Sequence, residues 1–213
     1  MKITILNSSE DHPVNTCLKR WIKLNQAKHE VQLSRSKKDL FNGDILFLVS
    51  CSDVISQYDR DKFKKTLVIH ASDLPRGRGW SPHIWEIING ANQVTLALLE
   101  AEDKVDSGDI WKKVTINIPD AALYDQINEL IFEAELELMD FAIENFLNIT
   151  PSKQSEEGVS SWPKRAPEDS EINIHQSIDK QFDLIRVCDP DRFPAFFYRN
   201  GKKFKLKVEV MDE

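Results

Sequence analysis

The stretch from Leu67 to Ile110 carries two side chains whose types suit proton-transfer chemistry, His70 near its start and Asp106 in the loop near its end. His70 closes the β-rich run Leu67-Val68-Ile69-His70, and the loop Ala71-Ser72-Asp73-Leu74-Pro75-Arg76-Gly77-Arg78-Gly79 follows directly. A histidine at the carboxyl end of a buried strand stands where open α/β sheets gather their ligands. An imidazole near neutral pH can take a proton from an attacking group or, once charged, donate to a developing oxyanion. A carboxylate within reach would orient the ring and favour its charged form. The loop adds Arg76 and Arg78, whose guanidinium forks match phosphate oxygens and whose glycine neighbours let the backbone approach a ligand. Trp80 is a candidate stacking surface for a substrate. Asn7 and His12, in the loop after the first strand, are further candidate substrate contacts.

These residues need a sheet to hold them, and the hydrophobic pattern supplies one. Lys2 to Leu6 is a short β-run, and Pro13 leads into a helix whose Val14, Leu18, Trp21 and Ile22 recur at helical spacing. Val31 to Leu33 is a weak second strand, whereas Ile45-Leu46-Phe47-Leu48-Val49 is the continuous apolar run of a strand covered on both faces. Arg60 to Lys65 reads as a charged helical stretch before the His70 strand. A helix over Pro82 to Gly90 has proline at its start and glycine at its end. Val94, Leu96 and Leu98, then Trp111 to Ile116, alternate as two strands flanking the Asp106 loop. A long amphipathic helix lies between Pro119 and Leu147, with Glu129, Glu133, Glu135, Glu137 and Glu144 read as its solvated face. The Ser/Pro/Glu-rich stretch 151–162 reads as a linker between a domain over 1–150 and a small α+β domain over 163–213. That last part carries Arg199-Asn200-Gly201-Lys202 between two β-rich runs, a hairpin signature.

Composition sets limits on partners. With 28 Lys and Arg against 35 Asp and Glu, the 213-residue chain carries a formal charge of −7. It therefore lacks the broad positive field of a nucleic-acid binder. The three cysteines are odd in number and widely spaced, as expected of reduced thiols in a cytoplasm, and neither they nor the helix carboxylates have metal-ligand spacing. No apolar run is long enough to span a bilayer, and Met1-Lys2-Ile3-Thr4 enters a strand rather than a leader peptide. The first β-run is not followed by Gly-x-Gly-x-x-Gly, which argues against a dinucleotide cofactor. The expectation is a cytoplasmic protein with no metal, no membrane and no nucleic-acid partner.

The stretch from Leu67 to Ile110 resembles the formyltransferases that use 10-formyltetrahydrofolate. His70 matches their strand-end histidine, Ser72-Asp73-Leu74-Pro75 with Arg76 and Gly79 matches their loop, and Asp106-Ser107-Gly108 matches their Asp-x-Gly motif at the family's separation. The family's asparagine two residues before the histidine is replaced by Val68. A second resemblance covers Lys164 to Val208, where Arg165-Ala166-Pro167-Glu168-Asp169-Ser170 and Phe193-Pro194-Ala195-Phe196-Phe197 look like the C-terminal domain of nucleotide-sugar and methionyl-tRNA formyltransferases. The wording of 72–82 is most similar to the formyltransferases of pseudaminic-acid-type nucleotide sugars.

The resemblance implies an α/β, Rossmann-like formyltransferase domain with a small α+β C-terminal domain. It implies catalysis by His70 and Asp106, folate contacts at Ser50, Leu74, Pro75 and Val105, and 10-formyltetrahydrofolate as co-substrate. The formyl acceptor it implies is the amine of a UDP- or dTDP-linked 4-amino-4,6-dideoxy sugar, in surface polysaccharide biosynthesis. Alternatives are another amine acceptor, such as methionyl-tRNA or glycinamide ribonucleotide, and a non-catalytic binder of folate or nucleotide sugar. The C-terminal hairpin offers an edge through which a homodimer could form.

Overall fold

Near-continuous burial along the strands Lys2–Leu6, Gly43–Leu48 and Phe63–His70 marks the centre of the sheet. A computed structural model describes residues 1–211, beginning with β1 (Lys2–Leu6), α1 (Val14–Asn25), β2 (Glu30–Ser34) and β3 (Gly43–Leu48). There follow α2 (Gln57–Arg60), β4 (Phe63–His70), β5 (Arg78–Gly79), α3 (Pro82–Ile88), β6 (Gln93–Glu100) and β7 (Ile110–Asn117). Helix α4 (Tyr124–Asn145) comes next, then β8 (Ser161–Trp162), α5 (Phe182–Arg186), β9 (Ala195–Arg199) and β10 (Lys202–Leu206). In β3, Ile45 and Phe47 enter the main core while Leu46 and Leu48 join a second apolar cluster on the other face. Covered on both sides, this strand has no polar face to display.

Six strands form one sheet in the order β2-β1-β3-β4-β6-β7, parallel from β2 through β4 and antiparallel beyond it. This is the mixed α/β, Rossmann-like architecture expected. Helices α1 and α4 cover one face, where Leu18 and Trp21 meet Ile131, Leu138 and Met139 in the main core. Trp21 also donates through Nε1 to Asp140 Oδ1 at 2.6 Å, which satisfies the indole as its ring is buried.

The charged stretch at Arg60 to Lys65 is not helical. The helix lies earlier, where the Ser56 hydroxyl accepts from the Asp59 N–H at 3.3 Å, and it ends at Arg60. Phe63 is buried, Lys64 points outward, and their strand pairs Gly43 with Phe63 and Ile45 with Lys65. Period-two burial against β3 has overridden the local helical character of these charges.

The C-terminal part forms a smaller cluster of Ile172, Ile185, Cys188 and Ala195 beside the β9–β10 hairpin. It is tied to the sheet layer by Arg186, which is 3% exposed. Its Nη1 donates to the carbonyls of Pro119 and Ala122, and its Nε to Asp183 at 2.6 Å. No helix among the described residues is long and apolar enough to cross a membrane.

Candidate active site

His70 is the last residue of β4, and period two puts it on the same face as Val68, opposite the core-facing Leu67 and Ile69. The ring is 7% exposed. Its Nε2 lies 2.9 Å from the Gly77 carbonyl oxygen. A carbonyl only accepts, so the proton belongs on Nε2 and Nδ1 is left as the basic nitrogen in the neutral ring. That nitrogen faces Asp106 Oδ1 at 3.6 Å, too far for a direct hydrogen bond but close enough to stabilise an imidazolium.

Asp106 is held by two hydrogen bonds. Its Oδ2 accepts from the Gly79 N–H at 2.9 Å, and its own carbonyl accepts from Gln154 Nε2 at 3.0 Å. Its backbone is left-handed at φ 54°. Ser50 (φ 46°) and Ser81 (φ 44°) share that conformation, and all three residues line the same cleft. Non-glycine residues in this region store strain, and here it is concentrated around one opening.

The stretch 151–162 is pinned along this loop. Gln154 Nε2 also donates to the Gly108 carbonyl at 2.8 Å, while its Oε1 accepts from Arg78 at 2.7 Å. The Ser160 hydroxyl accepts from the Gly77 N–H at 2.9 Å, and β8 pairs in parallel with β5. Trp162 stacks on Trp85 at 5.8 Å, and Trp85 Nε1 donates to the Pro163 carbonyl.

The cleft has a volume of about 560 Å³. Its walls come from the loop after β1, the loops after β3 and β4, the 101–106 loop and one face of α4. The first three leave the carboxyl ends of parallel strands, and β1 and β3 stand on either side of the point where strand order reverses. The expected residues His70, Asp106, Ser50, Val105, Trp80 and His12 all line it. Burial and the nearby Arg192 charge lower the His12 pKa to about 4, so this imidazole is neutral at physiological pH. Its ring lies 5.9 Å from Phe132.

Other expected contacts lie elsewhere. Asn7 is fully buried outside the cleft lining; its amide donates to the Val49 carbonyl at 3.0 Å and its Oδ1 accepts from Arg35 at 2.7 Å, so it ties strand ends together. Leu74 packs with Ala97, Leu99 and Ile110 in a separate cluster, and Pro75 after it is also outside the cleft lining. Arg78 is engaged by Gln154, and Arg76 is exposed away from the cleft.

Three polar lining residues carried by helices were not anticipated. Glu135 is buried and faces the cleft, in contrast to the solvated face expected of the helix carboxylates, and Asn128 lies on the same helix face. The spacing 128, 131, 132, 135 is itself an i, i+3, i+4, i+7 stripe, and it shares Ile131 with the apolar periodicity. His83 also lines the cleft, with Nδ1 unpartnered and its pKa lowered to about 4, chiefly by burial. Among the described residues no lysine or arginine lines the cleft. No group of three or more His, Cys, Asp or Glu among them could hold a metal ion.

Comparison with known proteins adds a family. Residues 5–143 match the family model described as "Formyl transferase". A methionyl-tRNA formyltransferase of Rickettsia massiliae is 30% identical over 167 residues, which are 78% of this chain and 55% of that protein. One from Protochlamydia amoebophila is 27% identical over 79% of this chain and 54% of its own length. The chain thus spans about half the length of the curated relatives it matches. Among solved structures, a methionyl-tRNA formyltransferase from Clostridium thermocellum superposes with a TM-score of 0.81 at 23% identity, covering 100% of this chain and 94% of that one. A 4-N formyltransferase from Francisella tularensis gives 0.75 at 18% identity over 100% and 98%. HypX from Aquifex aeolicus in complex with tetrahydrofolic acid gives 0.80 at 24% identity over 95% and 36%.

Proposed function

The chain belongs to the formyl transferase family, and on that premise we propose that it moves a formyl group from 10-formyltetrahydrofolate to the amine of a nucleoside-diphosphate-linked 4-amino-4,6-dideoxy sugar. The observation that carries this reading is the His70–Asp106 pair opening onto a cleft lined by no lysine or arginine. A reactive amine suits such a place, and a polyanion such as tRNA would have to be held outside it. The phosphates of a nucleotide sugar would be met at the mouth, where Lys164 Nζ sits 4.7 Å over the Trp80 ring.

The cleft's other side fits a folate. Val54 and Val105 are apolar rim residues left 70% and 59% exposed, and Leu48, Ile55, Val68 and Ala101 continue that wall inward. A flat heterocycle would cover this surface, and Ser50 would present its backbone to the ring's polar edge. The co-substrate supplies the formyl group on its N10 nitrogen.

The residues then divide the work. With Nε2–H engaged by Gly77, His70 Nδ1 accepts a proton from the attacking amine, and Asp106 stabilises the imidazolium that results. Charged His70 can also donate toward the developing oxyanion, a duty made heavier because Val68 has no amide to offer. Gly77 and Gly79 hold the two partners in register through the backbone.

Mass spectrometry of reactions containing 10-formyltetrahydrofolate and a panel of UDP- and dTDP-linked 4-amino sugars tests the proposal. Gain of one formyl group on an amino sugar is the expected result. Formylation of methionyl-tRNA with no gain on any sugar would replace the acceptor, and folate binding without transfer to any amine would replace the enzyme by a binding protein.

A further inference from the structure

Helix α4 turns two unpartnered polar side chains toward the cleft. Glu135 is 7% exposed and Asn128 8%. Glu135 Oε2 and Asn128 Nδ2 are buried with no hydrogen-bond partner, and among the described residues Glu135 makes no ion pair. Seven residues apart on the helix, they share one face, with Ile131 and Phe132 between them. Elsewhere in the chain, buried charge is compensated: Arg186 meets Asp183 and two carbonyls. A buried carboxylate left without cation or donor is costly to the fold, and burial alone pushes Glu135 up to about 8. What it lacks is a cation with N–H donors; what Asn128 lacks is an acceptor oxygen. Both would be provided by an amino group beside a hydroxyl or ring oxygen.

We propose that Glu135 and Asn128 form the amine end of the acceptor subsite, with Glu135 receiving the ammonium of a small amino sugar and taking the proton that its nitrogen must lose before attack. This rests on the formyl-transfer reading above. Protonated Glu135 with a neutral amine carries the same protons as carboxylate with ammonium, so the pair can exchange one proton without any leaving the cleft. The neutral amine's lone pair then forms the bond to the formyl carbon. The bond from that carbon to the donor nitrogen breaks, its electron pair stays on that nitrogen, and the second amine proton reaches it through His70 Nδ1. The other titratable groups facing this space are His12, His70 and His83 from three separate elements, Asp106, Glu102 and Asp103 from one loop, and Cys51 and Asp53 from the loop after β3, while Cys17 on α1 responds to the Glu135 charge.

The test is calorimetry at pH 7, in two buffers of different ionisation enthalpy, with dTDP-4-amino-4,6-dideoxyglucose and the 4-hydroxy sugar dTDP-6-deoxyglucose. Wild type is expected to bind the amino sugar about 10- to 100-fold more tightly than the hydroxy sugar, the range of a charged hydrogen bond. Binding should release close to one proton, because Glu135 is mostly protonated before the ammonium arrives. Glu135→Gln should bind both sugars alike without proton release, and Glu135→Asp should recover part of the preference. Glu135→Gln is isosteric with the neutral acid that predominates at pH 7 and cannot ionise, so its melting temperature should equal or exceed that of wild type. Retained preference and proton release in Glu135→Gln, or equal binding of the two sugars by wild type, would overturn the inference. If wild type formylates the amino sugar and Glu135→Gln does so at the same rate, only this inference falls. If neither sugar binds, the nucleotide-sugar reading falls with it.

Discussion

Replacing Gln154 by alanine separates a passive linker from a structural part of the site. The side chain makes three hydrogen bonds: to the carbonyls of Asp106 and Gly108 at 3.0 and 2.8 Å, and from Arg78 at 2.7 Å. At about 0.5–1.5 kcal/mol each, and with Gln154 itself half-buried, their loss should cost about 2–3 kcal/mol. The loss falls on the local closure of the 101–109 loop, so the open-loop population should rise about 30- to 150-fold. Asp106 is held at φ 54°, and a freed loop would relax out of that conformation and carry the carboxylate away from His70. Hydrogen exchange reads this without any substrate, because the Gly79 N–H is protected by Asp106 Oδ2 at 2.9 Å. Exchange at Gly79 should accelerate by the same factor, and kcat should fall at least about tenfold while the protein stays folded. Lys153→Ala, on the exposed neighbour, should change neither. Unchanged Gly79 exchange and a kcat within about twofold of wild type would refute the claim that 151–162 braces the site.

Other perturbations follow from the same geometry. Gly108→Ala would put a Cβ 1.9 Å from the Glu100 carbonyl oxygen, a backbone atom with nowhere to go, so thermal unfolding should show a loss above about 3 kcal/mol. Gly90→Ala meets nothing within 4 Å and bears only the strain of φ +88°, about 1–2 kcal/mol. Glu135 keeps its proton in the folded state to about pH 8, whereas the unfolded carboxyl loses it near 4.5. The unfolded chain therefore binds fewer protons between those values, and stability should decline by a few kcal/mol as pH rises from 4.5 to 8 and level off above. Glu135→Gln should abolish that part of the decline in urea titrations; an unchanged pH profile would contradict the burial argument. Arg186→Met keeps the apolar packing but leaves the Pro119 and Ala122 carbonyls without their donor, so limited proteolysis should release the C-terminal segment more readily, with a loss of about 2–4 kcal/mol.

The sheet was legible where side-chain period and burial agree. The run Ile45 to Val49 announced a strand covered on both faces, and Asn200-Gly201 announced its hairpin. Phe63 to Lys65 misled because two lysines following the charged run Arg60-Asp61-Lys62 look helical alone, and only pairing with β3 shows them to be a strand. His70 and Asp106 could be found from residue type and order, and the structure brings them to 3.6 Å. The wall opposite them could not. Glu135 sits among the carboxylates of an amphipathic helix, and which arc of that helix a cleft opens onto depends on how the helix lies against the sheet. Asn7 lies outside the cleft lining for the complementary reason: a polar residue at a strand end is as useful for tying loops as for binding, and its partners Val49 and Arg35 are distant in sequence. Residues 151–162 have the composition of a linker, yet their hydrogen bonds to Gly77, Arg78, Asp106 and Gly108 depend on tertiary placement that composition does not encode.

The measurement that bears most directly on the central claim is the formyl-transfer rate of His70→Ala and Asp106→Asn, at saturating amino sugar and 10-formyltetrahydrofolate, with circular dichroism on the same samples. If His70 Nδ1 handles the amine proton and Asp106 stabilises the imidazolium, both folded variants should lose at least about 10²-fold in turnover. A folded variant of either residue that turns over within about twofold of wild type would contradict the roles assigned to the pair.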